Sequence, residues 1–152
     1  MYFWNTNELS QNIKISKLSD NDWKNYYLAM SIIGMLGLYL TALSPRENTM
    51  ALLVEAISMI GILIFGISIT FKTHKTNDKN VASYISKMVA LSFPISIKFL
   101  VLSFGFGFIL GAAQATNTFA TLDSEWSLTA MTVTFQALIF WRLNIHLQAI
   151  NT

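Results

Sequence analysis

The chain has no cysteine and little charge. The first absence removes disulfides, thiolate metal sites and cysteine nucleophiles together. It assigns no compartment, because a membrane protein needs no disulfide anywhere. The second absence is more telling. Charged residues are 12% of the 152, where an average soluble domain carries about 25%. No acidic cluster offers a Mg²⁺ site for phosphoryl chemistry. No glycine-rich loop follows a strand and opens a helix, and no serine stands with a histidine and an acid in a triad context. The two histidines, His74 and His146, have no cysteine, histidine or carboxylate at ligand spacing. They are poor metal candidates and read as part of the basic set at the membrane interface. The expectation is a protein that is not an enzyme and that has no cofactor and no metal.

Hydrocarbon takes the place of charge. Hydrophobic residues are 53% of the chain, and the mean hydropathy is +0.48. Four apolar runs cover roughly 26–43, 51–71, 90–113 and 127–147. A helix rises about 1.5 Å per residue, so about 20 apolar residues cross a hydrocarbon core of about 30 Å. The runs predict an all-α integral membrane protein. It is a four-transmembrane-helix bundle forming one domain over 1–152, with no room for a separate soluble domain. Residues 1–18 read as an interfacial or cytoplasmic segment, since Met1 to Ser16 show no clean period. Its aromatic start, Met1-Tyr2-Phe3-Trp4, suits an interfacial anchor or a docking peptide. The polar residues before the first run do not fit a cleaved signal peptide.

The basic residues alternate between loops. Lys14, Lys17 and Lys24 precede the first run, Lys72, Lys75, Lys79 and Lys87 lie around the second loop, and Arg142 closes the fourth run. Only Arg46 lies between the first two runs, and Asp123 and Glu125 stand between the last two. By the positive-inside rule both termini are cytoplasmic, N-in and C-in, which suits the inner membrane of a bacterium. The lysines flank membrane segments without interleaved aromatics, so no nucleic-acid partner is expected.

Local signals mark the ends. Ser19 caps the first spanning helix, with Asp20 and Asp22 in its first turn. Trp23, Tyr26 and Tyr27 form an inner aromatic belt; Trp126, Trp141 and Arg142 anchor the fourth helix. Pro45 stops the first span, and the short connection after it predicts that the first two spans are antiparallel neighbours. Asn77, Asp78 or Asn80 caps the third helix, with helical spacing from Val81. Pro94 is expected to kink that helix, with Ser92 and Ser96 placed to satisfy the freed carbonyl.

Glu55, Lys98 and Gln136 are polar where polarity costs most, which makes them functional candidates by default. A direct Glu55–Lys98 pair is disfavoured, because the two lie at different depths and lean apart. Glu55, Ser58 and Gly66 share one face of the second span. Ser92, Ser96, Ser103, Gly107 and Gln114 share a face of the third, with Lys98 and Gly105 nearly opposite. Thr129, Thr132 and Gln136 align on the fourth. Such stripes serve helix packing or, facing one another, a polar pathway. Gly34, Gly37, Gly66, Ser103, Gly105, Gly107 and Gly111 are the candidate packing positions, the last two forming a GxxxG pair. The expected function is that of a small non-enzymatic membrane protein working through helix packing. Its partners are membrane lipid and either a second copy of itself or another membrane protein, as in accessory subunits and immunity or exclusion proteins. The alternative is an oligomeric ion or proton channel lined by Glu55, Ser58 and Gln136.

Overall fold

The computed structural model describes residues 4–43, 47–75, 81–115 and 124–151. Over these the protein is all-helical, with α1 Thr6–Lys14, α2 Asp20–Leu43, α3 Thr49–Lys75, α4 Val81–Ala115 and α5 Ser124–Asn151. The aromatic start Met1–Phe3, the stop at Pro45, Arg46, the caps at Asn77, Asp78 and Asn80, Lys79 and Asp123 lie outside the described residues, as does the side chain of Gln114. Two helices are long and apolar enough to cross a membrane. These are α3, at a mean hydropathy of 2.4, and Ser83–Ala113 of α4, at 2.0. Only 11% and 6% of their apolar windows are buried. The core helix of a water-soluble domain would be covered along one face. Here Leu53, Ile57, Ile64 and Phe65 of α3 and Val101, Phe104 and Phe108 of α4 stand exposed.

The contacts fix the order and direction of the helices. Along α3 and α5, Asn48 meets Glu125, Glu55 meets Thr129, Gly66 meets Phe140 and Thr73 meets Asn144. Both numbers rise together, so α3 and α5 run parallel. Phe99 and Phe106 of α4 both stack on Phe135, while Lys98 shares a pocket with Arg142 and His146; α4 and α5 are antiparallel. Tyr26 of α2 meets Phe93 edge-on at 5.8 Å, and Leu36 shares a groove with Leu100; α2 and α4 are parallel. It follows that α2 and α3 are antiparallel, as the short connection predicts. They are not packed neighbours, however. α2 seats on α4, and α3 seats on α5. The reason is chemical: α3 carries polar and glycine positions that α5 matches, whereas the α2 side chains in the groove against α4 are apolar apart from Asn25.

Two further expectations are corrected. Residues Thr6–Lys14 form a helix that the sequence pattern hides. Its inner face is Thr6, Leu9, Ser10 and Ile13, a helical spacing in which two of four members are hydroxylated, so the apolar period is broken. The Asn5 side chain caps it by accepting from the Glu8 N–H at 3.2 Å. The histidines are covered by protein rather than presented as surface bases: His74 is 1% exposed and packs beside the Tyr84 ring, and His146 is 8% exposed beneath α1. The core gathers at this α1 end, around Leu9, Tyr26, Leu91, Phe93, Leu143 and Leu147. Pro94 is fully buried inside α4, which continues as helix on both sides of it.

Ser19 and Asp22 form the cap expected for α2. The Asp22 N–H donates to the Ser19 hydroxyl at 3.3 Å, and the Ser19 N–H and hydroxyl donate back to Asp22 Oδ2 at 3.0 and 2.7 Å. These bonds hold the Asp22 carboxyl below its ordinary value. A depressed carboxyl contributes stability above its ordinary range and loses it as pH falls through the lowered value. Acidification below the ordinary aspartate range should therefore loosen the first turn of α2. Amide exchange at Trp23 and Lys24, corrected for intrinsic rates, should show this in the wild type and lose the dependence in Asp22→Asn.

Gly66 is the tightest position in the fold. A Cβ there would fall within the Phe140 ring, against ring carbons near its root rather than a flexible tip. Gly34 has open space at the same point. Gly66→Ala should cost about 1–3 kcal/mol by overpacking, and Gly34→Ala should be neutral or slightly favourable, by thermal denaturation in detergent. Adding Phe140→Leu to Gly66→Ala should recover part of the loss.

Candidate functional site

Two polar assemblies stand out in a chain otherwise dominated by hydrocarbon. The first is the α3–α5 seam. At one end the Glu125 carboxylate accepts from the N–H groups of Glu47 and Asn48 at 3.1 and 2.9 Å, and Asn48 Oδ1 accepts from Ala51 N–H at 3.1 Å. Orphan donors at the start of α3 are thereby satisfied. Further along, the Thr129 hydroxyl donates to Glu55 Oε2 at 3.2 Å. Near the other end the Thr73 hydroxyl donates to Asn144 Oδ1 at 2.7 Å. The Thr70 and Tyr84 hydroxyls, 2.9 Å apart, tie α3 to α4. The stripes of the second and fourth spans thus meet, and Glu55 belongs to them. Ser58 and Gln136 are half-buried. Among the described residues neither side chain makes a hydrogen bond to another group.

The second assembly lies under α1. The N-terminal turn of α1 covers a pocket of about 360 Å³ between α4 and α5. Lys98 Nζ donates to the Thr6 hydroxyl at 3.0 Å and lies 5.8 Å from the centre of the Trp4 ring. His146 Nδ1 is 3.2 Å from Ser10 Oγ, which itself donates to the Thr6 carbonyl at 2.9 Å. A hydroxyl has one proton to give, so His146 Nδ1 is the donor to Ser10. Arg142 lines the same pocket and also lies 5.8 Å from the Trp141 ring. Three basic side chains therefore converge, and no carboxylate lines the cavity.

Glu55 and Lys98 do not meet. Their partners Thr129 and Arg142 lie 13 positions apart on α5, about 20 Å of helix. Of the packing candidates, Gly66 is buried against Phe140, while Gly34, Gly37, Gly105, Gly107 and Gly111 face open space. The Ser103 hydroxyl returns to the Phe99 carbonyl of its own helix at 2.8 Å. Tyr27, Trp126 and Trp141 are exposed and Trp23 is half-buried, whereas Tyr26 turns inward to Phe93. Sequence reasoning missed Thr6, Ser10, Thr73 and Asn144. The one available signal was the i, i+3, i+4, i+7 spacing of Thr6, Leu9, Ser10 and Ile13.

The lid over the second assembly is held by Leu9, which is fully buried. Leu9→Ala should weaken α1 docking by about 2–5 kcal/mol. The expected result is faster proteolysis at Lys14 and Lys17 and a shift in Trp4 emission, with little change in the α3–α5 seam.

No protein-family model matches this chain, and no curated protein and no solved structure matches it.

Proposed function

We propose that this chain is a small integral membrane protein of four spanning helices, α2 to α5, and that it acts through helix packing rather than catalysis. Both termini and the basic loop after α3 lie on the cytoplasmic side, in a bacterial inner membrane, with α1 at that interface and α4 bent at Pro94. The alternating directions of α2 to α5 support four crossings, and the exposed apolar faces of α3 and α4 suit a lipid solvent. α2 and α5 are less hydrophobic on average than α3 and α4. α5 can be so because three other helices cover it.

The observation that carries the reading is the open glycine face of α4. Gly105, Gly107 and Gly111 have nothing within 4 Å of a would-be Cβ. Glycine weakens a helix by about 1 kcal/mol relative to alanine, and its use in membranes is to let a second backbone approach. Nothing among the described residues takes up that approach, which favours a second copy or another membrane protein as the partner. The Gln136 amide, near the same level of the bundle, suits a hydrogen bond across such an interface. The Glu55–Thr129 bond favours a seam role for Glu55 over the lining of an ion path.

The absence of cysteine makes a single introduced thiol unambiguous. Oxidative crosslinking in native membranes should give a discrete adduct from Gly107→Cys or Gly105→Cys and none from Ile60→Cys on the outer face of α3. Co-purification in mild detergent should then recover the adduct's partner. Absence of any adduct at both glycines, together with Glu55-dependent conductance in planar bilayers, would replace this reading with the channel.

A further inference from the structure

The pocket under α1 is built like an anion site, and nothing in the packing role uses it. Its basic groups come from α4 and α5, and two of the three are held by side-chain partners. Lys98 is fixed by Thr6 and Trp4, and His146 by Ser10. His146 is more than nine-tenths buried, and its Nε2 has no hydrogen-bond partner among the described residues. Both Lys98 and His146 sit within electrostatic reach of the Arg142 guanidinium. Like charges held together in a partly apolar cavity repel, and a bound anion would offset that. The nearest carboxylate on α1, Glu8, is held by the Asn5 amide at 3.1 Å and does not line the cavity. The first turn of α1 also lines the cavity, where the positive end of a helix favours negative charge.

We propose that this pocket binds a phosphate group of net negative charge through Lys98 and Arg142. Guanidinium and ammonium suit phosphate oxygens, and a helix N-terminus favours negative charge. The rest of the cavity wall points to the bearer of the phosphate. Ile95, Phe99 and Leu102 line it on the same face of α4 as Lys98, so apolar side chains flank the cation. That shape fits an anionic phospholipid, with its headgroup under α1 and an acyl chain along α4, better than free phosphate. The oxyanion chemistry stands on the pocket alone; only the lipid source rests on the membrane reading.

Trp4 reports on the site directly. Purified full-length protein is titrated with inorganic phosphate in neutral detergent. It is also placed in nanodiscs of phosphatidylcholine with and without phosphatidylglycerol, and emission is compared with a Trp4→Phe variant. A saturable Trp4 response to phosphatidylglycerol, or to phosphate, is expected. It should weaken at least about tenfold in Lys98→Met and Arg142→Gln, the loss of one charge-assisted bond, and persist in Lys98→Arg. A response to phosphatidylglycerol alone identifies a lipid, and a response to both or to phosphate alone identifies a site open to the free ion. No response to either probe overturns the proposal. So does an equal response in phosphatidylcholine alone, or binding unchanged in folded Lys98→Met and Arg142→Gln. If those variants fail to fold, wild-type binding that does not weaken with rising sodium chloride overturns it equally.

Discussion

The α3–α5 seam is the constraint on which the rest of the bundle depends. A buried polar group that loses its partner costs about 1–3 kcal/mol. α5 carries more such groups than either α3 or α4, yet its polar side chains are distributed to partners on several sides. Glu125 holds the start of α3, Thr129 reaches Glu55, Asn144 receives Thr73, and His146 meets Ser10 of α1. Each bond fixes a different level, so sliding α5 by one turn would break all of them at once. Between the polar levels, Gly66 lets Phe140 approach the α3 backbone. Hydrogen bonds thus set the register, and the glycine sets the distance.

This arrangement explains the unequal hydropathy of the long helices. α5 packs against α1, α3 and α4, so much of its surface is solvated by protein. It can keep threonine, glutamine, asparagine and histidine without facing hydrocarbon. α3 and α4 each leave a broad face uncovered, and there they carry isoleucine, leucine and phenylalanine. α2 is attached along one side only. The groove of about 460 Å³ between it and α4 is lined almost wholly by apolar side chains, from Leu28 to Leu36 and from Phe93 to Leu100. Side-chain packing such as Tyr26 on Phe93 contributes to its attachment.

Long-range physics was legible in the sequence where the signal was long. The apolar runs at 51–71 and 90–113 fall inside α3 and α4, and the Ser19 cap stands where Ser-Asp-Asn-Asp placed it. The stripes on α3 and α5 were visible as spacing, and two of their members, Glu55 and Thr129, touch. What could not be read was which helix each stripe would face. Loop length gave α2 and α3 as neighbours, but surface chemistry decided otherwise, because a short connection limits distance at one end only. α1 escaped notice for a related reason. Its inner face contacts polar ends of α4 and α5 and is therefore part hydroxyl, so a test for apolar periodicity fails on a helix that is amphipathic by packing.

The histidines show the same limit from the opposite side. A histidine near the end of an apolar run looks like an interfacial base when only its neighbours in sequence are counted. What buries His146 is α1, a segment 136 positions away. Once α1 lies across that end, the environment of Arg142 and Lys98 changes too. Lys98 no longer needs to reach water alone, since Thr6 and Trp4 come to it. The cost is that three basic groups share one small cavity without a carboxylate among its walls. Such crowding opposes folding unless something negative joins it or water keeps access. The first turn of α1 lines that cavity, and the positive end of its backbone adds to the field an anion would meet there.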